Sequence, residues 1–250
     1  MDAQRRMRVG TGMTSSDRVT HVRNVRMSVG RGTWSYARHH AQVIDEHWRM
    51  AKAHNPGYFN GVVHLIDRLD VKGEDVIARL LPTEFKNFLY WRDEGYPQEA
   101  GVKDGFGSAL IKSREGHVIL GRQAPGNINA NLAYLPGGFI DTRDVDPSGL
   151  IDLTGSITRE LAEETGLGAD EFTIEDGFLM TQAAAHVSFA CVFRSRWAAD
   201  SLVRRIREFL ETEKDPELAD VVVMRSPDEL AGLAMPHYAR VLLFSPLAWT

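Results

Sequence analysis

Arg159-Glu160-Leu161-Ala162-Glu163-Glu164-Thr165-Gly166-Leu167, downstream of Pro136-Gly137-Gly138, is the stretch that decides how this chain is read. Residues three and four apart are neighbours on a helix face, so Glu160, Glu163 and Glu164 are expected to bring their carboxylates together. Like charges at that spacing cost a few tenths of a kcal/mol per pair, roughly. Gly166 reads as the helix stop, which puts Glu163 and Glu164 in the last turn. There the helix dipole disfavours an anion by about 0.3–1 kcal/mol. Local rules broken without visible compensation are expected at functional sites. A hard divalent cation, which takes oxygen ligands, would reverse the sign of each of these effects. Three glutamates alone would read as a solvated acidic face; with the upstream glycines the metal reading is preferred.

The combination resembles the Nudix hydrolase family, whose motif runs Gly, five residues, Glu, seven residues, then Arg-Glu-apolar-x-Glu-Glu-x-Gly-apolar. The second half matches at every fixed position from Arg159 through Leu167. Gly138 aligns with the motif glycine, and Asp144 stands where the first Glu is expected. Fourteen residues rather than seven separate Asp144 from Arg159, so the loop carries an insertion over roughly 145–153. Asp152 is the alternative occupant of the acidic slot, one residue short of the usual spacing. The resemblance covers about 105–250 and implies an α/β fold, an α/β/α sandwich around a mixed sheet. It also implies that Glu160, Glu163 and Glu164 are catalytic and ligate Mg2+ or Mn2+, and that Arg159 orients a motif glutamate. Gly137 and Gly138 would form a tight turn against the metal and substrate. Many family members add an acid from elsewhere, and Glu211, Glu213 and Glu217 are the candidates here. Homodimers are common in the family, although no residue of this chain is read as specifying one.

Other positions carry weaker signals. Arg122 ends the run Val118-Ile119-Leu120-Gly121 and could meet a substrate phosphate; an exposed arginine is the plain alternative. Gln182 and His186 flank a strand where substrate could lie, with a structural histidine as the plain alternative. Asn55-Pro56-Gly57-Tyr58-Phe59-Asn60-Gly61 is similar to the N-terminal extension of Nudix relatives that act on nucleotide sugars such as UDP-glucose. That likeness implies a flap in which Tyr58 or Phe59 stacks on a base; a turn with buried aromatics is the alternative.

Composition bounds the rest. The chain has 250 residues, a net charge of −5, 43% apolar residues and one cysteine. The charge gives no electrostatic footprint for nucleic acid, and one cysteine excludes a disulfide framework or a cysteine-based zinc site. No run approaches the roughly 18 apolar residues that span a bilayer, so no membrane partner is expected and cytoplasmic residence is the default. There is no P-loop, no Gly-x-Ser-x-Gly elbow and no His-Glu-x-x-His.

Three segments are expected. Residues 1–32, rich in Arg, Ser and Gly, read as a flexible basic leader, with an RNA- or lipid-binding arm as the alternative. Residues 33–104 read as an extension on the core: a helix from Ser35 to about Ala53, a hairpin over 62–71 and 75–81, and a helix capped by Thr83. Residues 105–250 hold the motif, with a hairpin around Arg114-Glu115-Gly116, strands over 178–181, 186–194 and 221–224, and C-terminal helices. The expected activity is metal-dependent cleavage of the diphosphate in a nucleoside diphosphate linked to another moiety, chiefly a sugar. A Nudix-like module that senses a nucleotide without turnover is the alternative.

Overall fold

The structure is a computed structural model, and it describes residues 16–250. Its frame is one mixed sheet in which β1 (Arg18–Val22), β9 (Phe178–Ala183), β10 (His186–Ser195), β5 (Lys103–Lys112), β3 (Val62–Lys72), β4 (Asp75–Glu84) and β2 (Asn24–Val29) follow one another. β10 runs parallel to β5 and β2 parallel to β4; the other pairs along this path are antiparallel. Only Arg23 separates β1 from β2, so the two ends of the path meet and the sheet curls on itself. β6 (Val118–Gln123) branches from β5 and pairs with β7 (Ala133–Tyr134) and β11 (Leu218–Met224), while β8 (Phe172–Ile174) pairs with β10.

Helices cover both faces, as expected for an α/β sandwich. α4 (Leu153–Thr165) and α5 (Ala199–Thr212) lie on one face, where Ile157, Leu161, Leu202 and Ile206 join Ala109, Ile111, Phe189 and Cys191 in a common core. α6 (His237–Phe244) covers the other face, with Val241 and Leu242 against Leu110, Leu179 and Ala190. Cys191 is buried, and burial pushes its thiol up to about 12. A third, aromatic core joins α1 (Ser35–His39), α2 (Ala41–His54) and α3 (Phe85–Asp93) through Trp34, Phe88 and Trp91. The expected single helix from Ser35 breaks at His40, whose Nδ1 hydrogen-bonds the Tyr36 carbonyl at 2.9 Å. Thr83 does not cap α3: its hydroxyl accepts from the Asn87 amide inside the first turn.

The flexible leader is corrected over the residues described. Its arginines lie outside the core, whereas Val22 and Met27 are 0% and 1% exposed inside the main core. Arginine content therefore concealed two strands. Residues 1–15 lie outside the described residues. The boundary drawn at 104/105 falls within β5, because the N-terminal strands belong to the same sheet. β2 also fixes the lengthened loop ahead of α4. Val29 N–H donates to Gly149 O, and Ile151 N–H donates to Met27 O at 3.1 Å.

Candidate active site

The hairpin expected around Arg114-Glu115-Gly116 is short. β5 and β6 pair only at Ile111↔Ile119 and Lys112↔Val118, then separate. The segment after β7 fills the gap. Ala109 N–H donates to Pro136 O at 2.7 Å, and Phe106 bridges Phe139. This approach leaves no room for side chains at the turn. A Cβ on Gly137 would sit 2.3 Å from Gly107 O, and one on Gly138 would sit 2.4 Å from Glu160 Oε2. The N-terminal extension clamps the far side of the turn: Phe139 stands 4.8 Å from Phe88, and the His64 imidazole bonds Ile140 O at 3.0 Å.

α4 begins at Asp152, whose carboxylate accepts from Gly155 N–H, and ends at Gly166 in the left-handed region at φ 69°. Glycine carries that conformation without a Cβ penalty. Asp152 is thus an N-cap. Asp144 occupies the acidic slot instead: Arg159 Nη2 donates to Asp144 Oδ1 at 2.7 Å, and Asp141 N–H donates to Asp144 Oδ2 at 2.9 Å. Of the two acids that the sequence leaves open, Asp144 is the one that Arg159 reaches.

The expected convergence of the three glutamates is met only in part. Glu164 points into the protein, where the Tyr134 hydroxyl donates to Oε2 at 2.7 Å and Gly137 N–H donates to Oε1 at 3.0 Å. Glu160 lies against the Gly138 turn, with Oε1 accepting from Arg159 Nη1 at 2.5 Å. The Glu163 side chain is half-exposed, with Arg143 and Arg159 at 3.3 and 3.4 Å. Each carboxylate is captured by its nearest donor. Among the described residues, no three His, Cys, Asp or Glu side chains stand together in metal-ligating geometry.

Their electrostatics nevertheless bind them into one group. Burial pushes the Glu160 carboxyl up to about 7 despite Arg159, with Glu163 and Glu217 adding to the rise. Burial also raises Glu164 well above the usual carboxylate range, against its two hydrogen bonds and with Glu217 and Glu160 contributing. All three acids considered outside the motif are exposed at the surface; Glu217 alone among them is near enough for its charge to act on Glu160 and Glu164. Carboxylate oxygens are the donors that a hard divalent cation takes, although in the ligand-free chain they are turned to protein partners and not gathered around one point.

The remaining candidates lie apart. Arg122 donates to Asn131 O and stands opposite Asp220 on β11. No hydrogen bond or ion pair joins it to the motif carboxylates among the described residues. Phe59 is 81% exposed, while its neighbour Tyr58 sits inward against Phe85 and Trp48. Gln182 is paired in register with Arg18 and Val187, away from the acids. His186 is half-buried against Tyr96 and Asp104. Sequence reading missed Tyr134 and Arg143; the two-residue strand that carries Tyr134 offers no periodic signal.

No family model matches the chain, and no curated protein matches it. Solved structures similar to it include the MutT protein from Methanosarcina mazei Go1, at 23% identity over 57% of this chain and 90% of that one, TM-score 0.37. The Nudix hydrolase RenU from M. smegmatis is similar at 16% identity over 56% and 81%, TM-score 0.38. A bifunctional NMN adenylyltransferase/ADP ribose pyrophosphatase from Francisella tularensis is similar at 14% identity over 66% and 51%, TM-score 0.37. At these identities and scores the likenesses assign neither an activity nor a substrate.

Proposed function

We propose that the chain is a Nudix-type pyrophosphohydrolase, dependent on Mg2+ or Mn2+, that cleaves the diphosphate of a nucleoside diphosphate linked to another moiety such as a sugar. The observation that carries this reading is the coupled group of Glu160, Glu163, Glu164 and Glu217 beside a turn that only glycine can form. Glu160, Glu163 and Glu164, with Glu217 beside them, would hold the metal. A divalent ion there supplies positive charge against the diphosphate and lowers the pKa of water.

The chain's own residues do the rest. Arg159 ties Asp144 to Glu160 and so fixes the middle of the helix relative to the loop. Tyr134 and Gly137 hold Glu164 from across the turn. Glu163, the most exposed of the three, sits at the solvent edge between Arg143 and Arg159, where a substrate would meet it first. Burial holds Glu160 near neutrality in its proton affinity, which suits a group that takes a proton from an attacking water. Products would be a nucleoside monophosphate and a phosphorylated second moiety.

The test is a panel of nucleotide sugars, ADP-ribose, dinucleoside polyphosphates and coenzyme A with metal titration. Metal-dependent cleavage is expected, with Glu164→Gln lowering turnover by about a hundredfold or more in a folded protein. Absence of metal-dependent cleavage across the panel would sink the reading. Nucleotide binding without turnover, unchanged in Glu164→Gln, would instead support a sensor.

A further inference from the structure

β5, β10 and β9 lie side by side, and their register sets three rows beneath α6. Asp104 pairs with His186 and His186 with Ala183; Phe106 with Ser188 and Ser188 with Thr181; Ser108 with Ala190 and Ala190 with Leu179. Paired residues share a face of the sheet. Within these rows five buried polar atoms have no hydrogen-bond partner: Asp104 Oδ1, His186 Nδ1, Ser188 Oγ, Thr181 Oγ1 and Ser108 Oγ. Asp104, Ser108, Thr181 and Ser188 are all 5% exposed or less. His186 Nε2 stands 3.8 Å from Asp104 Oδ2, too far for a hydrogen bond. Arg92 Nη1 at the end of α3 is a further orphan, and the Arg92 charge acts on Asp104. Each such atom costs about 1–3 kcal/mol, and native interiors pair nearly all of theirs. A concentration of orphans in one place points to a polar occupant.

Rings wall the place. Tyr238 of α6 stands 4.7 Å from Phe106 and 5.7 Å from His186, and Tyr96 stands 4.9 Å from His186. The lower end touches the acidic site, because a Cβ on Gly137 would lie 3.1 Å from Ser108 Cβ. Asp104 and Ser108 are four residues apart, about 13 Å along the strand. The orphans thus form a trail that leads away from the Gly137 turn. The carboxyl oxygen accepts, the guanidinium donates, and each hydroxyl does both. A nucleobase offers its donors and acceptors along one edge in one plane, whereas these atoms are spread over three strands. A ring bearing several hydroxyls matches them better, and its C–H faces suit aromatic walls.

We propose that these polar rows beneath α6 open to receive the polyhydroxylated ring, a pyranose or a ribose, attached to the diphosphate that the acidic helix engages. The assignment rests on the function proposed above. The orphan atoms are closed over in the ligand-free chain, so α6 or the Tyr96 turn moves aside on binding.

The test is calorimetric binding to the full chain, without divalent metal so that no turnover occurs. The probes are UDP-glucose against UDP and ADP-ribose against ADP, which separate pyranose from ribose. One linked ligand is expected to bind at least about tenfold more tightly than its bare diphosphate. Asp104→Asn and Ser188→Ala should each erase most of that advantage while leaving diphosphate binding unchanged. Ser188→Ala removes a hydroxyl with no protein partner, so its folding is expected to be intact. Equal binding of linked and truncated ligands, no binding of any probe, or a preference that survives both substitutions would overturn the assignment. So would a ligand-bound crystal structure with only ordered waters on these atoms. Turnover in the substrate panel without this preference would remove the assignment and leave the proposed activity standing; the preference without turnover would do the reverse.

Discussion

The two faces of β5 treat buried polar groups in opposite ways. On the α4 side the buried acids are answered: Glu164 by Tyr134 and Gly137 N–H, Asp144 by Arg159 and Asp141 N–H. On the α6 side Asp104, Ser108 and Ser188 each keep an atom without a partner. Burial nevertheless leaves the same mark on both. It pushes Glu160 and Asp104 each up to about 7, in both cases against a nearby arginine. The lesson is that protein partners hold the first set in shape, whereas the second set is shaped for something the chain does not supply.

That contrast can be broken most severely at Arg159. Arg159→Ala would leave Asp144 buried without its cation and release Glu160, and breaking a buried pair in this way costs about 3–5 kcal/mol. Denaturant unfolding of the metal-free protein should show that loss. A change below about 1 kcal/mol would mean the pair is not what orders the helix against its loop.

A pH profile sharpens the same face at smaller amplitude. Glu160 and Glu164 have folded pKa values above their unfolded ones. Between about 4.5 and 7 the folded chain therefore holds protons that the unfolded chain has released. Metal-free stability should fall as pH rises through that window, by about 1–3 kcal/mol. Added Mg2+ should offset the fall at pH 8, because metal binding replaces those protons. Thermal unfolding at pH 5 and pH 8, with chelator and with Mg2+, gives both signs. A metal-free stability that rises with pH would contradict them. On the opposite face, Ser188→Ala should leave metal-free stability unchanged or raise it, by up to about 1–3 kcal/mol, because it removes an unpartnered hydroxyl. A loss comparable to that of Arg159→Ala would erase the distinction between the two faces.

Legibility in the sequence follows from how local each signal is. The acidic helix was readable because Arg159 through Gly166 carries its acids, its stop and its spacing in one run. The choice between Asp144 and Asp152 was not, because it depends on how β2 ties down residues 149–151 from a distant part of the chain. β1 and β2 were misread because arginines alternate with the Val and Met residues that form the core. Glu217 was named beside two other acids and is separated from them only by its nearness to Glu160 and Glu164, which the fold sets. The rows under α6 had no signal, since single Asp, Ser, Thr and His residues on three strands become a group only through register.

The central claim is most directly tested by titrating Mn2+ into the full chain at pH 8 and following binding by calorimetry. Saturable binding is predicted, weakened at least about tenfold in Glu163→Gln, a half-exposed substitution that should leave metal-free unfolding unchanged. No saturable binding, or binding that both Glu163→Gln and Glu160→Gln leave intact, would contradict the account.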